Sequence, residues 1–234
     1  MEVSPTKGTR DENFPVGSFL LSRSVRPHIA EFYALARAAD DIADNANVAE
    51  EEKLAKLNRF ERALTFATKD DPAAGKAYSL ALSCSITGVT TKHAVDLIQA
   101  FKQDVTKLRY DDWDDLMRYC DLSAAPVGRF LLDLHGEGTS AYIHSDALCN
   151  VLQVLNHLQD IKSDYQNLNR VYLPQEWMAE FQLNVADFNG QQSTPALRAV
   201  IDRCLDRCEQ LMVEARKLPK ILKSRRLMME VVAI

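Results

Sequence analysis

The sequence holds no apolar run approaching the ~20 residues needed to span a bilayer. Its opening, Met1-Glu2-Val3-Ser4-Pro5-Thr6-Lys7, lacks the apolar stretch of a secretory signal. Glycine and proline are sparse, eight of each in 234 residues, which disfavours a many-turned β-sandwich or barrel. Five scattered cysteines include no C-x-x-C pair, and Cys204 and Cys208 have no histidine partners nearby. That argues against a disulfide framework and against zinc, and a reduced, cytoplasmic compartment is the expectation. Positive charge is not in excess: 28 Lys and Arg against 33 Asp and Glu give a net charge of −5, so no nucleic-acid partner is expected. The glycines form no G-x-G-x-x-G fingerprint, the histidines show no metal-ligand spacing, and NADPH is not expected.

What is present is an ordinary globular composition, 47% hydrophobic and 26% charged, in a length suited to one domain. Residues 1–12 are polar and expected to be loose, with a single helical domain over 13–234. Apolar residues recur at helical spacing over about 25–44, 50–68, 73–85 and 91–107. Asp111-Asp112-Trp113-Asp114-Asp115 offers N-cap and first-turn acids for a helix reaching about Leu134, with a kink near Pro126 and Gly128. A long apolar helix is expected over about 145–165, then helices at 195–216 and 219–232. No segment alternates as a strand, so the fold class is all-α. The last residues, Leu227 to Ile234, form an apolar helical pattern without cap or polar tail, as in a chain truncated inside a helix.

Two sets of carboxylates stand out from this pattern. Arg37, Asp40, Asp41 and Asp44 fall at offsets of 0, 3, 4 and 7, on one side of a helix. A solvated acidic helix end is one reading, although three acids near a helix C-terminus oppose its dipole. In the second set, Gln153, Asn156, Asp160 and Asp164 interrupt an apolar run; eleven residues close three turns to within roughly 20°, so they form one polar stripe. A solvated groove is the plain alternative here. Ionised carboxylates in an apolar setting otherwise need a cation, and hard oxygen donors select Mg²⁺ or Mn²⁺ with water or phosphate oxygens completing the shell. Such a cluster suits a diphosphate, with Lewis-acid help to its departure and an allylic carbocation left in an apolar bundle.

At these residues the chain resembles the squalene/phytoene synthase family, head-to-head prenyl transferases of the all-α isoprenoid synthase fold, a helical bundle around a central cavity. The resemblance rests on Tyr33-x-x-x-Arg37-x-x-Asp40-Asp41-x-x-Asp44, on Gln153-x-x-Asn156-x-x-x-Asp160-x-x-x-Asp164, and on Arg170-Val171-Tyr172-Leu173-Pro174 after them. It implies that Asp40, Asp41 and Asp44 hold one side of an Mg²⁺ cluster, and that Asp160 and Asp164, with Asn156, hold the other. Arg37, Asn13, Gln153, Asn156, Arg170 and Tyr172 would contact the diphosphate of a prenyl substrate. For Arg170 and Tyr172, a loop salt bridge and a core tyrosine are equal alternatives. Glu12-Asn13-Phe14-Pro15-Val16 and Ala39-Asp40-Asp41-Ile42-Ala43-Asp44 are most similar to the bacterial hydroxysqualene synthase branch. That branch implies conversion of presqualene diphosphate to hydroxysqualene in a hopanoid-precursor route, without a reductant. Sister activities condense two prenyl diphosphates to presqualene diphosphate, squalene or phytoene. A non-catalytic assembly-factor relative is the third reading, disfavoured because all five aspartates are retained.

Tyr119-Cys120-Asp121-Leu122-Ser123-Ala124-Ala125-Pro126-Val127-Gly128 is similar to the family's Y-C-x-x-x-A-x-x-V-G helix, but Asp121 and Leu122 stand where many members carry a second tyrosine. Phe14, Phe19, Phe32, Tyr33 and Phe130 are candidates to line the cavity, although each taken singly reads better as an ordinary core residue. Arg216, Lys217, Lys220, Lys223, Arg225 and Arg226, interleaved with leucine and isoleucine, read as a basic amphipathic helix suited to peripheral membrane contact, or as a solvated face.

Overall fold

The computed structural model describes residues 21–68 and 71–234. Four helices come first: α1 (Arg26–Ala43), α2 (Glu50–Phe66), α3 (Gly75–Thr87) and α4 (Lys92–Thr106). Each follows the apolar spacing of the sequence, and Gly88, at φ +73°, ends α3 in a left-handed turn that costs glycine little. Helix α1 packs on α3 and α4, with α2 behind them. Their shared core includes Leu35, Leu57, Leu80 and Ile98, together with Phe130 from later in the chain.

Next come α5 (Trp113–Ser123) and α6 (Ala125–Leu134). Asp112 caps α5 by accepting from the Asp115 amide at 2.7 Å, and the expected kink falls at Ala124, two residues before Pro126 in the first turn of α6. Helix α7 (Tyr142–Gln159) packs against α5, α6 and α10 (Pro195–Ala215). The approach of α6 to α7 depends on Gly128: a Cβ there would stand 2.3 Å from Ser145 Oγ and 2.7 Å from Cys149 Sγ. Trp113 and Trp177 stack at 5.5 Å in the core beneath α5, α7 and α10.

Three expectations need correction. The helix expected over 145–165 stops at Gln159; Asp160, at φ −100° and ψ 8°, breaks the ladder, and α8 (Ile161–Leu168) continues from it. The basic helix expected over 219–232 is two pieces, α11 (Leu218–Ile221) and α12 (Arg225–Ala233). Buried Glu137 accepts the amides of Lys223 and Ser224 at 2.8–3.0 Å, which holds the chain extended between the two pieces. Finally, the bundle carries a small parallel ladder of β1 (Arg109–Tyr110) and β2 (Val171–Pro174), followed by α9 (Gln175–Glu180). Asn169, at φ +53°, turns the chain from α8 into β2. Among the described residues no helix is long and apolar enough to cross a membrane.

Candidate active site

Helices α1, α4, α5, α6 and α7 enclose a cavity of about 440 Å³, open on the side of α8 and β2. Phe32, Val127, Phe130 and Leu152 supply apolar wall, with Phe32 and Phe130 stacked at 4.4 Å between ring centres. Arg37, Asp40 and Asp44 line it from α1. Gln153, Asn156, Asp160 and Asp164 line it from α7 and α8, so both stripes read from the sequence reach one space despite the helix break. Arg170 and Tyr172 line it from the start of β2. Asp41 is not among the lining residues; it accepts from Arg37 at 3.1 Å, outside the cavity wall. Asn13, Phe14 and Phe19 lie outside the described residues.

Arg37 explains how three acids are tolerated at the end of α1. Its guanidinium bridges Asp40 and Asp41, each at 3.1 Å, three and four positions on and so one turn away. The compensation is incomplete at Asp40. Burial, reinforced by the charge of Asp44, pushes its carboxyl up to about 7 against the opposing pull of Arg37.

Asp44 has its own partner across the cavity. Arg170 Nη1 stands 2.7 Å from Asp44 Oδ1, and Arg170 Nε donates to the main-chain oxygen of Asp104 at 3.1 Å. Burial disfavours the Arg170 charge, but Asp104 and Asp44 outweigh it and hold the guanidinium protonated. Both alternatives raised for Arg170 and Tyr172 therefore hold, within the cavity wall itself.

Asp104 is one of two site residues that the sequence reading missed. It is buried on α4, and its carboxylate accepts from Tyr172 at 3.0 Å and from Tyr119 at 2.9 Å. Burial raises its carboxyl to about 6, moderated by Arg170 and the two phenols. The signal was legible: an aspartate three residues after Phe101 and beside Val105 falls on the apolar face of its helix. His157, also missed, is buried with its ring flat on Tyr172, 3.6 Å between centres, and Nε2 3.1 Å from Gln153 Nε2. Desolvation, helped by Arg170, depresses its imidazole to about 3, so it is neutral.

The donors facing the cavity are hard oxygens, and among the described residues no three His, Cys, Asp or Glu side chains converge into a complete metal site. Asp40, raised first by its burial and then by the charge of Asp44, is the carboxyl of the wall that a cation would favour in its ionised form. That fits a cation such as Mg²⁺, which binds through few carboxylates and keeps water or phosphate oxygens.

Comparison with known proteins agrees with this geometry. The squalene/phytoene synthase family pattern matches residues 8–234. The chain is 42% identical over 233 residues to the hydroxysqualene synthase of Rhodopseudomonas palustris, covering all of this chain and 79% of that protein. It is 38% identical to the hydroxysqualene synthase of Zymomonas mobilis, covering 97% of this chain and 76% of the relative. In structure it is similar to the squalene synthase HpnC of Alicyclobacillus acidocaldarius, with a TM-score of 0.83 and 31% identity over 96% of this chain and 84% of the other. With cavity, carboxylates and relatives in accord, the chain belongs to the squalene/phytoene synthase family and is a synthase that uses prenyl diphosphates.

Proposed function

We propose that this synthase converts presqualene diphosphate and water to hydroxysqualene and diphosphate, with Mg²⁺, or Mn²⁺ in its place, bound between the two carboxylate stripes. One observation carries the reading: acids from α1 and from α7–α8 line the same cavity as a set of apolar and aromatic side chains. The similarity to two bacterial hydroxysqualene synthases supports the choice of reaction. Asp40 and Asp44 would hold the metal on one side, and Asp160, Asp164 and Asn156 on the other. When bound, the ion supplies positive charge to the departing diphosphate.

The protein's own groups do the rest. Arg37 and Arg170, already at the carboxylates, offer N–H donors to phosphate oxygens, with Gln153 and Tyr172 beside them. The carbon–oxygen bond breaks with its electron pair on the diphosphate. The rings of Phe32, Phe130 and Tyr119 then face the allylic cation with their π-electrons. Water adds to the cation, and the proton it sheds passes to the released diphosphate.

The test is product analysis by mass after incubation with presqualene diphosphate, and separately with farnesyl diphosphate. Hydroxysqualene formed from the first supports the reading; the first untouched while the second is consumed assigns the chain to head-to-head condensation instead. Asp40→Asn and Asp160→Asn should each abolish turnover with helix content retained. Asp41→Asn, off the cavity wall, should cost less.

We further propose peripheral membrane contact through the C-terminal region, supported by the exposure of Arg216, Lys217, Lys220, Lys223, Arg225 and Arg226 beside exposed Ile221 and Met229. Co-sedimentation with anionic vesicles that is absent even at low salt would refute it.

A further inference from the structure

A cavity that forms a carbocation and then adds water must hold that water at one place, while its other walls keep solvent out. Many of the polar groups lining this cavity are committed to one another. Arg37 bridges Asp40 and Asp41, Arg170 holds Asp44, and Asp104 holds the phenols of Tyr119 and Tyr172. Gln153 is paired with His157, and the Cys149 thiol bonds Ser145.

Among the described residues, Ser123 brings to this wall a hydroxyl that no protein group satisfies. It is the last residue of α5, it lines the cavity, and its Oγ is buried with no hydrogen-bond partner among the described residues. An unsatisfied buried hydroxyl is costly, on the order of 1–3 kcal/mol, and in native proteins such groups are usually satisfied by an internal water. Ser123 cannot be explained as a helix cap: the residue after it breaks α5, and the amide of Ala124 already bonds to the Cys120 oxygen at 2.8 Å. Its neighbours in the wall are Ala124 and Val127, which offer no side-chain partner. Tyr119, four residues earlier, lies on the same face of α5 and also lines the cavity, but its phenol is already engaged by Asp104.

We propose that the Ser123 hydroxyl, at the α5–α6 break, holds the water that captures the cation and so selects a hydroxylated product over a hydrocarbon. The inference rests on the presqualene diphosphate reading. In the step, a lone pair of the held water forms the new carbon–oxygen bond, the carbon having already lost its bond to diphosphate. The resulting oxonium gives its proton to the released diphosphate, so no oxidant or reductant is needed. Ser123 gives and receives hydrogen bonds only, and is unchanged at the end.

The experiment compares wild type, Ser123→Ala, Ser123→Val and Ser123→Thr on presqualene diphosphate with Mg²⁺, measuring diphosphate release and the ratio of hydroxylated to hydrocarbon products. Thermal melts of each variant establish folding. Ala and Val variants should lower the hydroxylated-to-hydrocarbon ratio by about tenfold or more while each substrate consumed still yields one diphosphate. The Thr variant, which keeps a hydroxyl, should restore the ratio. An unchanged ratio in Ala and Val variants overturns the assignment, as does a folded Ala variant that releases no diphosphate. Wild type that leaves presqualene diphosphate intact overturns the functional reading and this inference together. Wild type that makes hydroxysqualene beside indifferent variants overturns this inference alone.

Discussion

Arg170 and Asp44 meet at 2.7 Å although 126 positions separate them in the sequence, one immediately before β2 and the other immediately after α1. Arg170 is buried, and its second tether is the main chain of α4. The pair therefore ties three elements around the cavity mouth before any ligand arrives.

Removing one partner should cost more than removing both. Arg170→Ala leaves Asp44 close to Asp40 without its counter-charge, and because the Asp44 carboxylate is 35% exposed and partly solvated a loss of about 1–2 kcal/mol is expected, below that of a fully buried pair. Asp44→Asn combined with Arg170→Ala should recover part of that loss. Urea denaturation of the single and double variants without metal measures the coupling. A double variant no more stable than Arg170→Ala would mean that the pair is not the source of the effect.

Asp40 predicts how stability and metal binding change with pH. Its folded-state value, about 7, lies above its unfolded value of 3.8. The folded state thus binds the proton more tightly, and this contribution to stability is present below pH 3.8 and lost as pH rises through 7. In chelator, Asp40→Asn should erode less than wild type over that interval. Mg²⁺ binding should release protons near neutrality, seen by calorimetry in buffers of different ionisation enthalpy; identical heats in all buffers would contradict this.

His157 gives the opposite sign. Its folded value, about 3, lies below its ordinary 6.5, so the unfolded state takes up a proton first as acid is added. Its contribution to stability is full above pH 6.5 and is lost as pH falls toward 3, with a slope of up to about 1.4 kcal/mol per pH unit. His157→Gln should flatten the acid limb of a stability-versus-pH curve. An acid limb as steep as that of wild type would place the proton uptake elsewhere.

Gly128 sets the spacing of α6 and α7 beside the cavity. Gly128→Ala forces both Ser145 Oγ and Cys149 Sγ to move, since the new Cβ would lie 2.3 and 2.7 Å from them. A loss of about 1–3 kcal/mol is expected, partly recovered by adding Ser145→Ala. Thermal denaturation of the three proteins checks it, and a neutral Gly128→Ala would show that the two side chains turn away freely.

The sequence was most informative where periodicity and chemistry coincide. The acids of α1 could be placed on one face because the helix is regular from Arg26 to Ala43, and Asp40 and Asp44 indeed share a wall. The stripe from Gln153 to Asp164 was found by assuming a continuous helix, yet the ladder breaks at Asp160 with no glycine or proline to announce it. The stripe survives because the Asp164 amide still reaches the Asp160 oxygen at 2.8 Å. The ladder of Arg109–Tyr110 with Val171–Pro174 was invisible because two residues show no period, and its partner lies about 60 residues away. Asp104 carries a legible but weak signal, since a single acid on an apolar helix face has no second acid at helical spacing to mark it as a site.

The break at Asp160 leaves Asp164 on α8, a helix of eight residues with none of them buried. Its counterpart acids ride on α1, which sends Ile29, Phe32, Leu35, Ala39 and Ala43 into the interior. One jaw of the site is thus anchored by a buried face, while the other is held by the half-buried Ile161 and Tyr165 and has less packing to resist local opening. A ligand gripping both must settle the loose jaw, so amide hydrogens of residues 161–168 are the ones whose exchange with solvent a bound diphosphate should slow most.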